Sequence, residues 1–350
     1  MEKGNKIALC SALHDPDGAL ILALQKVIPF IKENYSGWSV VVSKDTSKKV
    51  IDELTGGGIT VITAGEMTLS PDPIENNHLL AIREGIDSMG DDQYLQYTDG
   101  DRVIFGSAYF PDSWRQTLEE VDGRLVDSDY LSLTRSPKDN FTHHAAMTST
   151  EPSFTCLYQM AMGVKVDPAS TAHVFSKRAG QFLLDNSASH KPTSFPHGKW
   201  EILMKEGGFT VGAVETSDIL SYETPLQSAE NLTADAFIAG NFAPDLAQQL
   251  REAYKDNQLP SLEALREYYN FTVETEDLDS PNEWRRRIEI AEEWIDYLQK
   301  ELSNLKLPEE VEDGVLAEIE VERKKLIEIR ELKSGESLIE DEEGPRFPVK

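Results

Sequence analysis

Tyr94-Leu95-Gln96-Tyr97-Thr98-Asp99-Gly100-Asp101 reads as a buried strand that delivers two carboxylates at its end, with one residue between them. On an extended backbone, residues i and i+2 point to the same side. Asp99 and Asp101 are therefore expected to aim at one point just past the strand. Two hard oxygen ligands on a rigid element suit Mg²⁺ or Mn²⁺ bridged to a diphosphate. The competing reading is a solvated Asp-Gly turn. The surrounding segments weigh between the two.

Upstream, Lys6 to Leu13 predicts a first strand, followed by a turn at His14-Asp15-Pro16-Asp17-Gly18. Leu20, Leu24, Val27, Ile28 and Ile31 share one face of a helix from about 19 to 34. Trp38 to Ser43 predicts a second strand, continuous and rich in β-branched residues and so expected to be buried on both faces. Asp45-Thr46-Ser47 opens a short helix that Gly56-Gly57-Gly58 ends. Ile59 to Thr63 predicts a third strand, 77–89 a helix, and 92–98 the fourth strand. Strands alternating with helices through short turns specify a parallel α/β sheet, whose ligands bind beyond the carboxyl ends of the strands. Asp99, Asp101, the His14 turn and the Asp45 turn all fall at such ends. Further on, 111–120 and 197–206 predict helices, and Tyr130–Thr134 and Phe209–Val214 predict strands.

The character changes after about residue 230. Residues 246–254 and 262–269 have helical spacing. Trp284, Ile288, Ala291, Ile295, Leu298, Leu302 and Leu305 then form a coiled-coil-type seam. Leu307-Pro308-Glu309-Glu310 starts another helix, which predicts an antiparallel hairpin packing on its own chain or on a dimer partner. The expected organisation is a catalytic α/β domain at 1–230, a helical extension at 231–333 with its hairpin at about 282–333, and an acidic disordered tail at 334–350.

The chain has 350 residues and a formal net charge of −28, which disfavours binding to nucleic acid or anionic membrane. An acidic protein that binds phosphate needs local compensation, and a cation between carboxylates supplies it. Two cysteines, Cys10 and Cys156, have no metal-ligand spacing and make no disulfide framework, which fits a reduced cytoplasm. No apolar stretch approaches the length of a membrane span, and no signal-peptide pattern precedes the first strand.

In order and spacing, the Ser11-Ala12-Leu13-His14-Asp15 turn, the Asp45-Thr46-Ser47 turn, the Asn76 to Ile86 helix and the Asp99-Gly100-Asp101 motif resemble nucleotide-sugar glycosyltransferases of the GT-A fold, of the family-2-like group. The resemblance covers roughly residues 5–110 well and 125–225 loosely. It implies a mostly parallel Rossmann-like sheet and a metal-dependent transfer of sugar from a nucleoside-diphosphate sugar to an unknown acceptor. It implies Mn²⁺ or Mg²⁺ at Asp99 and Asp101, and donor contacts from Ala12, His14, Asp45, Arg83 and Asp99. The cation would neutralise charge on the departing diphosphate. An inverting enzyme of this kind also needs a carboxylate base. The family places it at the start of a late helix, so Glu201 in Phe195-Pro196-His197-Gly198-Lys199-Trp200-Glu201 is the first candidate, Asp185 the second and Tyr222-Glu223 the third. The family often has an adjacent acidic pair there, where this chain has Trp200-Glu201. Some relatives complete the metal site with a late histidine, for which His143, His144, His173, His190 and His197 are available.

Other readings compete. A sugar nucleotidyltransferase would need a glycine- and arginine-bearing loop after the first strand, and Ser11 to Pro16 has neither. A non-catalytic GT-A-like scaffold would use the acidic hairpin for association and would tolerate loss of Asp99 and Asp101.

Overall fold

The computed structural model describes residues 6–220 and 281–343, apart from 17, 19, 66–67, 71, 91–92, 137–138, 140–142, 144 and 188–195. The first half alternates as expected: β1 (Ile7–Leu13), α1 (Ile21–Asn34), β2 (Trp38–Val42), α2 (Lys48–Gly56), β3 (Thr60–Thr63), α3 (Pro73–Ser88) and β4 (Tyr94–Thr98). Then come α4 (Gly100–Tyr109), α5 (Pro111–Arg124), β5 (Tyr130–Thr134), α6 (Ala145–Met162), β6 (Ala172–Ser176) and α7 (Lys177–Ser187). A 3-10 turn at Pro196–Lys199 leads into α8 (Trp200–Glu206) and β7 (Val211–Glu215), and the described chain closes with α9 (Pro281–Glu301) and α10 (Glu309–Glu343). The expected helices at 246–254 and 262–269, the boundary near 230, and Tyr222-Glu223 lie outside the described residues.

The seven strands form one sheet in the order β3-β2-β1-β4-β6-β5-β7. β6 runs antiparallel to both β4 and β5, and the other strands are parallel. The carboxyl ends of β1, β2, β4 and β5 and the amino end of β6 therefore share one edge. The fold class expected from the sequence, a mostly parallel α/β sheet with flanking helices and a C-terminal helical hairpin, is what the chain adopts. Its central strands are mostly apolar because both faces are covered: every residue of β2 is buried. α1, α2, α4 and α5 bury their apolar residues on one face with Leu9, Val40 and Leu131. On the other face α3, α7 and α8 pack with Cys10, Leu95, Tyr97 and Phe175.

Two local differences from the sequence reading shape the functional edge. The strand carrying Tyr97 stops at Thr98, Asp99 is the N-cap residue of α4, and Asp101 lies in its first turn. The same-side argument for extended residues does not hold here, because Val103, Ile104 and Phe105 form a buried helical run that pulls the chain into α4 at once. Gly100 is not needed for a positive φ. Its role is close approach: a Cβ there would sit 2.9 Å from the Ala12 carbonyl oxygen and 2.9 Å from Leu13. Second, α3 begins a turn earlier than expected. Asp72 caps it by accepting from the Glu75 N–H at 2.8 Å, and Pro73 occupies the first turn, where its missing N–H is harmless.

The C-terminal helices run antiparallel, with Asp296 paired to Arg323 at 2.5 Å and Glu292 to Arg330 at 2.6 Å. Their apolar seam packs on α6: Ile288, Ala291, Trp294, Ile295, Leu298 and Ile319 share a cluster with Phe154, Leu157, Tyr158 and Ala161. α10 continues to Glu343, into the stretch read from sequence as a tail. Its acidic composition gave the tail reading, but the Glu, Leu and Ile residues of 336–343 are good or fair helix formers.

Candidate active-site cleft

β1 ends at Leu13, and the chain turns sharply at Asp15. The Asp15 carboxylate is wholly buried and accepts from the N–H groups of Gly18 at 2.8 Å and Leu20 at 2.9 Å, which fixes the loop into α1. His14 stays exposed, its Nδ1 2.6 Å from Ser43 Oγ in the turn after β2. β4 lies beside β1 and presents Asp99 and Asp101 at the same edge. The first half of α3 covers this edge from one side. Together Ala12, Leu13 and His14, then Ile74, Asn77 and His78, then Asp99 and Asp101 line a cleft of about 290 Å³.

The expected site residues divide between this cleft and other places. Ala12, His14, Asp99 and Asp101 meet in it. Arg83 does not line it; it sits farther along α3 with its Nε 3.9 Å from Asp87. Asp45 is exposed in the turn after β2 and does not line it either. Asp185 is exposed on α7 and accepts from Gln181 at 2.9 Å. Glu201 is wholly buried and does not line the cleft; its carboxyl faces Tyr130, Ser132 and His173. Burial pushes its carboxyl up to about 8, so it is protonated near neutral pH. A base that must reach a bound hydroxyl cannot be a neutral carboxyl buried in this way.

Sequence reasoning did not single out His78 as a ligand. It lies on the buried face of α3, and its Nε2 is 3.8 Å from Asp99 Oδ1. His197 enters from the turn before α8, with its ring centroid 4.7 Å from that of His78. The ligand atoms of His78, Asp99 and His197 all lie within 4.8 Å of one another. Burial lowers the His78 imidazole to about 4 and the His197 imidazole well below its usual range, so both are neutral, as a metal ligand must be. Tyr97 Oη donates to Asp99 Oδ1 at 2.7 Å and orients that carboxylate. Of the other histidines, His173 is buried on β6 with its Nδ1 2.7 Å from Tyr130 Oη, and His143 is buried near Leu220. His144 and His190 lie outside the described residues. The signal that points to His78 is local: Asp72-Pro73-Ile74-Glu75 fixes where α3 starts, and that start phases His78 onto the face carrying Leu79 and Ile82.

A second cavity of about 440 Å³ opens along the same sheet edge, past β6, at the carboxyl end of β5. Its floor is Arg135, which is buried and held by Asp167 through Nε and Nη2 at 2.7 and 2.8 Å and by Glu151 at 2.7 Å. α6 supplies Met147, Pro152 and Cys156 as an apolar wall.

No protein-family model matches the chain, and no curated protein does. Among solved structures, the chain is similar to glucosyl-3-phosphoglycerate synthase from Mycobacterium tuberculosis in complex with uridine diphosphate, at 13% identity and a TM-score of 0.40, over 74% of this chain and 82% of that one. The same enzyme in complex with Mn²⁺, UDP-glucose and phosphoglyceric acid matches at 13% identity and a TM-score of 0.36, over 74% of this chain and 81% of that one. The mannosyl-3-phosphoglycerate synthase from Rubrobacter xylanophilus matches at 13% identity and a TM-score of 0.42, over 75% of this chain and 78% of that one.

Proposed function

We propose that the chain is a metal-dependent glycosyltransferase that moves a sugar from a nucleoside-diphosphate sugar to a hydroxyl-bearing acceptor. One observation carries the reading. The β1 turn, the first half of α3 and the Asp99-Gly100-Asp101 corner, which follow one another in the sequence as they do in the GT-A resemblance, meet in a single cleft at the carboxyl edge of the sheet. That edge is where α/β sheets bind nucleotides.

The residues divide the work as follows. Ala12, Leu13 and His14 line the end of the cleft nearest β2 and suit the nucleoside. Asp99 carries the charge that would hold a divalent cation, and a bound cation would supply charge neutralisation for the departing diphosphate. The amino end of α4, which starts at Gly100, adds the positive end of a helix dipole on the same side. Glu201 and Asp185 are not suited to the base role in this geometry, so the reading assigns no carboxylate to it. The second cavity suits the acceptor, because it lies on the same edge beyond β4. Its buried cation, Arg135, is already neutralised by Asp167 and Glu151, and Glu215 adds a further acid against Lys165. Such a lining favours a neutral, hydroxyl-rich acceptor with an apolar face over an anionic one.

Thermal-shift titrations test this. A ligand at 100 times its dissociation constant stabilises the folded state by about 2.7 kcal/mol. A nucleoside diphosphate with Mn²⁺ is expected to raise the melting temperature, and Asp99→Asn is expected to abolish the rise. No shift with any nucleoside diphosphate or nucleotide sugar, with or without metal, would refute the transferase reading.

A further inference from the structure

The second cavity, at the carboxyl end of β5, has a shape and a lining of its own. We infer that it is a groove for an extended neutral saccharide of more than one ring, laid along α6, and that Glu151 and Asp167 are the residues that exclude anionic ligands from it. The inference rests on the transferase reading only where it makes this saccharide the acceptor.

The shape follows from one helix. Met147, Glu151, Thr155 and Gln159 line the cavity at every fourth position of α6, with Pro152 and Cys156 beside them. One side of the helix therefore faces the cavity from 147 to 159, over about 18 Å at about 1.5 Å per residue. That is longer than a single sugar ring. The opposite side carries Phe154, Leu157, Tyr158 and Ala161, which the C-terminal hairpin covers. The helix is fixed from behind, while Pro152 is exposed and Thr155 half-buried on the cavity side. The volume is about 440 Å³, against about 290 Å³ for the cleft between β1 and β4. Ligand sites rather than water pockets have this size.

The lining sets the ligand class. Thr148, Thr155 and Gln159 contribute neutral hydroxyl and amide groups, and Met147, Pro152 and Cys156 contribute apolar surface. A sugar ring presents hydroxyls at its rim and C–H groups on its face, and is matched by both. Gln159 Nε2 donates to the Val166 carbonyl at 3.0 Å, which turns the side-chain amide to a fixed orientation. Positive charge, by contrast, is withheld. Each of the three guanidinium nitrogens of Arg135 faces a carboxylate oxygen: Nε and Nη2 those of Asp167 at 2.7 and 2.8 Å, Nη1 that of Glu151 at 2.7 Å. Burial by itself would raise the Asp167 carboxyl, yet Arg135 holds it below its usual range, so it stays ionised. Glu151 is steadied from the hairpin, where Arg287 of α9 lies 3.9 Å away and donates from Nε to Glu283 at 2.6 Å. The basic groups of the lining, Arg135 and Lys165, are outnumbered by the acids Glu151, Asp167 and Glu215. A phosphate or carboxylate entering the groove would find Arg135 engaged on every nitrogen and would meet two buried carboxylates. A neutral hydroxyl meets no such repulsion.

The test uses the full chain without nucleotide or metal. The probes are neutral trisaccharides of glucose, mannose, galactose and N-acetylglucosamine, the matching monosaccharides, and the same trisaccharides ending in a uronic acid or a phosphate. Saturation-transfer NMR is expected to detect at least one neutral trisaccharide, with its monosaccharide and its anionic forms binding at least about tenfold more weakly. Thr155→Trp puts a bulky ring in the middle of the groove at a half-buried position, and should abolish that binding in a protein that still melts cooperatively. Glu151→Gln removes one of the two masking charges and should narrow the preference for the neutral over the anionic form. The unaltered protein decides the matter if either variant fails to fold. Binding of no neutral trisaccharide, equal binding of the monosaccharide or the anionic form, or undiminished binding in folded Thr155→Trp would overturn the groove. Saccharide binding with no response to any nucleotide would keep the groove and refute the transferase reading, and a nucleotide response with no saccharide binding would do the reverse.

Discussion

At the scale of single residues, Gly100 shows how a motif can be kept for a reason other than the one its composition suggests. An Asp-Gly pair signals a turn, yet Gly100 has no positive φ, lies in the first turn of α4 and is small because α4 starts against the β1 backbone. Gly100→Ala is expected to push α4 away from Ala12 and to destabilise the fold by about 1–3 kcal/mol, as overpacking does. Urea unfolding would measure the loss, and a change under about 0.5 kcal/mol would show that the contact yields easily. Glu201 gives a second prediction, on pH. Its folded pKa is raised from 4.5 to about 8 by burial. Between those values the unfolded chain has released a proton that the folded chain keeps, so this group's contribution falls as pH rises and levels off above about 8. Glu201→Gln removes the effect. In the presence of a chelator, the variant should be more stable than the parent at pH 8, with the gap narrowing as pH falls towards 4.5. Paired denaturant titrations across that range check it, and a gap that widens at low pH contradicts the assignment.

At the scale of elements, the C-terminal hairpin matters to the cleft through one side chain. Trp294 on α9 is buried against Phe154, with ring centroids 4.5 Å apart, and it backs the Gly198 turn that carries His197. Trp294→Ala should cost about 3–5 kcal/mol, the range for large aromatic truncations in cores. It should also lower metal affinity more than a distant core truncation of equal cost, such as Leu24→Ala on the far face. Equal affinities in the two variants would mean that the hairpin supports stability only. The sequence showed the hairpin and its seam but offered two partners for it. The choice of α6 as the partner depends on Phe154, Leu157, Tyr158 and Ala161 lining up on one side of a helix in a region whose polar composition hid it. β6 was hidden for a related reason: Ala172-His173-Val174-Phe175-Ser176 is short, contains a histidine and looks like the start of the helix that follows it.

At the scale of the whole molecule, the net charge of −28 sets the background field. Self-repulsion of this size should make stability rise with ionic strength up to a few hundred millimolar salt, and a melting temperature insensitive to salt would contradict it. Removing residues 281–350 should expose the apolar face of α6 and give an aggregating or unfolded product, read by size-exclusion chromatography. A monodisperse, folded fragment would show that the sheet closes its own core. Among the described residues, no helix is long and apolar enough to cross a membrane.

The division between sequence and tertiary structure follows from the range of the interactions. Local patterning determined the alternation of strands and helices, the buried character of β1, β2 and β4, and the arrival of Ala12, His14, Asp99 and Asp101 at one edge, because parallel sheets place successive strand ends together. Tertiary packing alone decided which side chains meet there. His78 and His197 are 119 positions apart in sequence, and their rings meet through tertiary contacts: the buried Glu75–Lys199 pair, the Tyr97 and Trp200 rings that touch both, and the Trp294 prop. Glu201, attractive by position, was withdrawn from the surface by the same packing, since a helix start signals an acid's favourable dipole and says nothing of its depth.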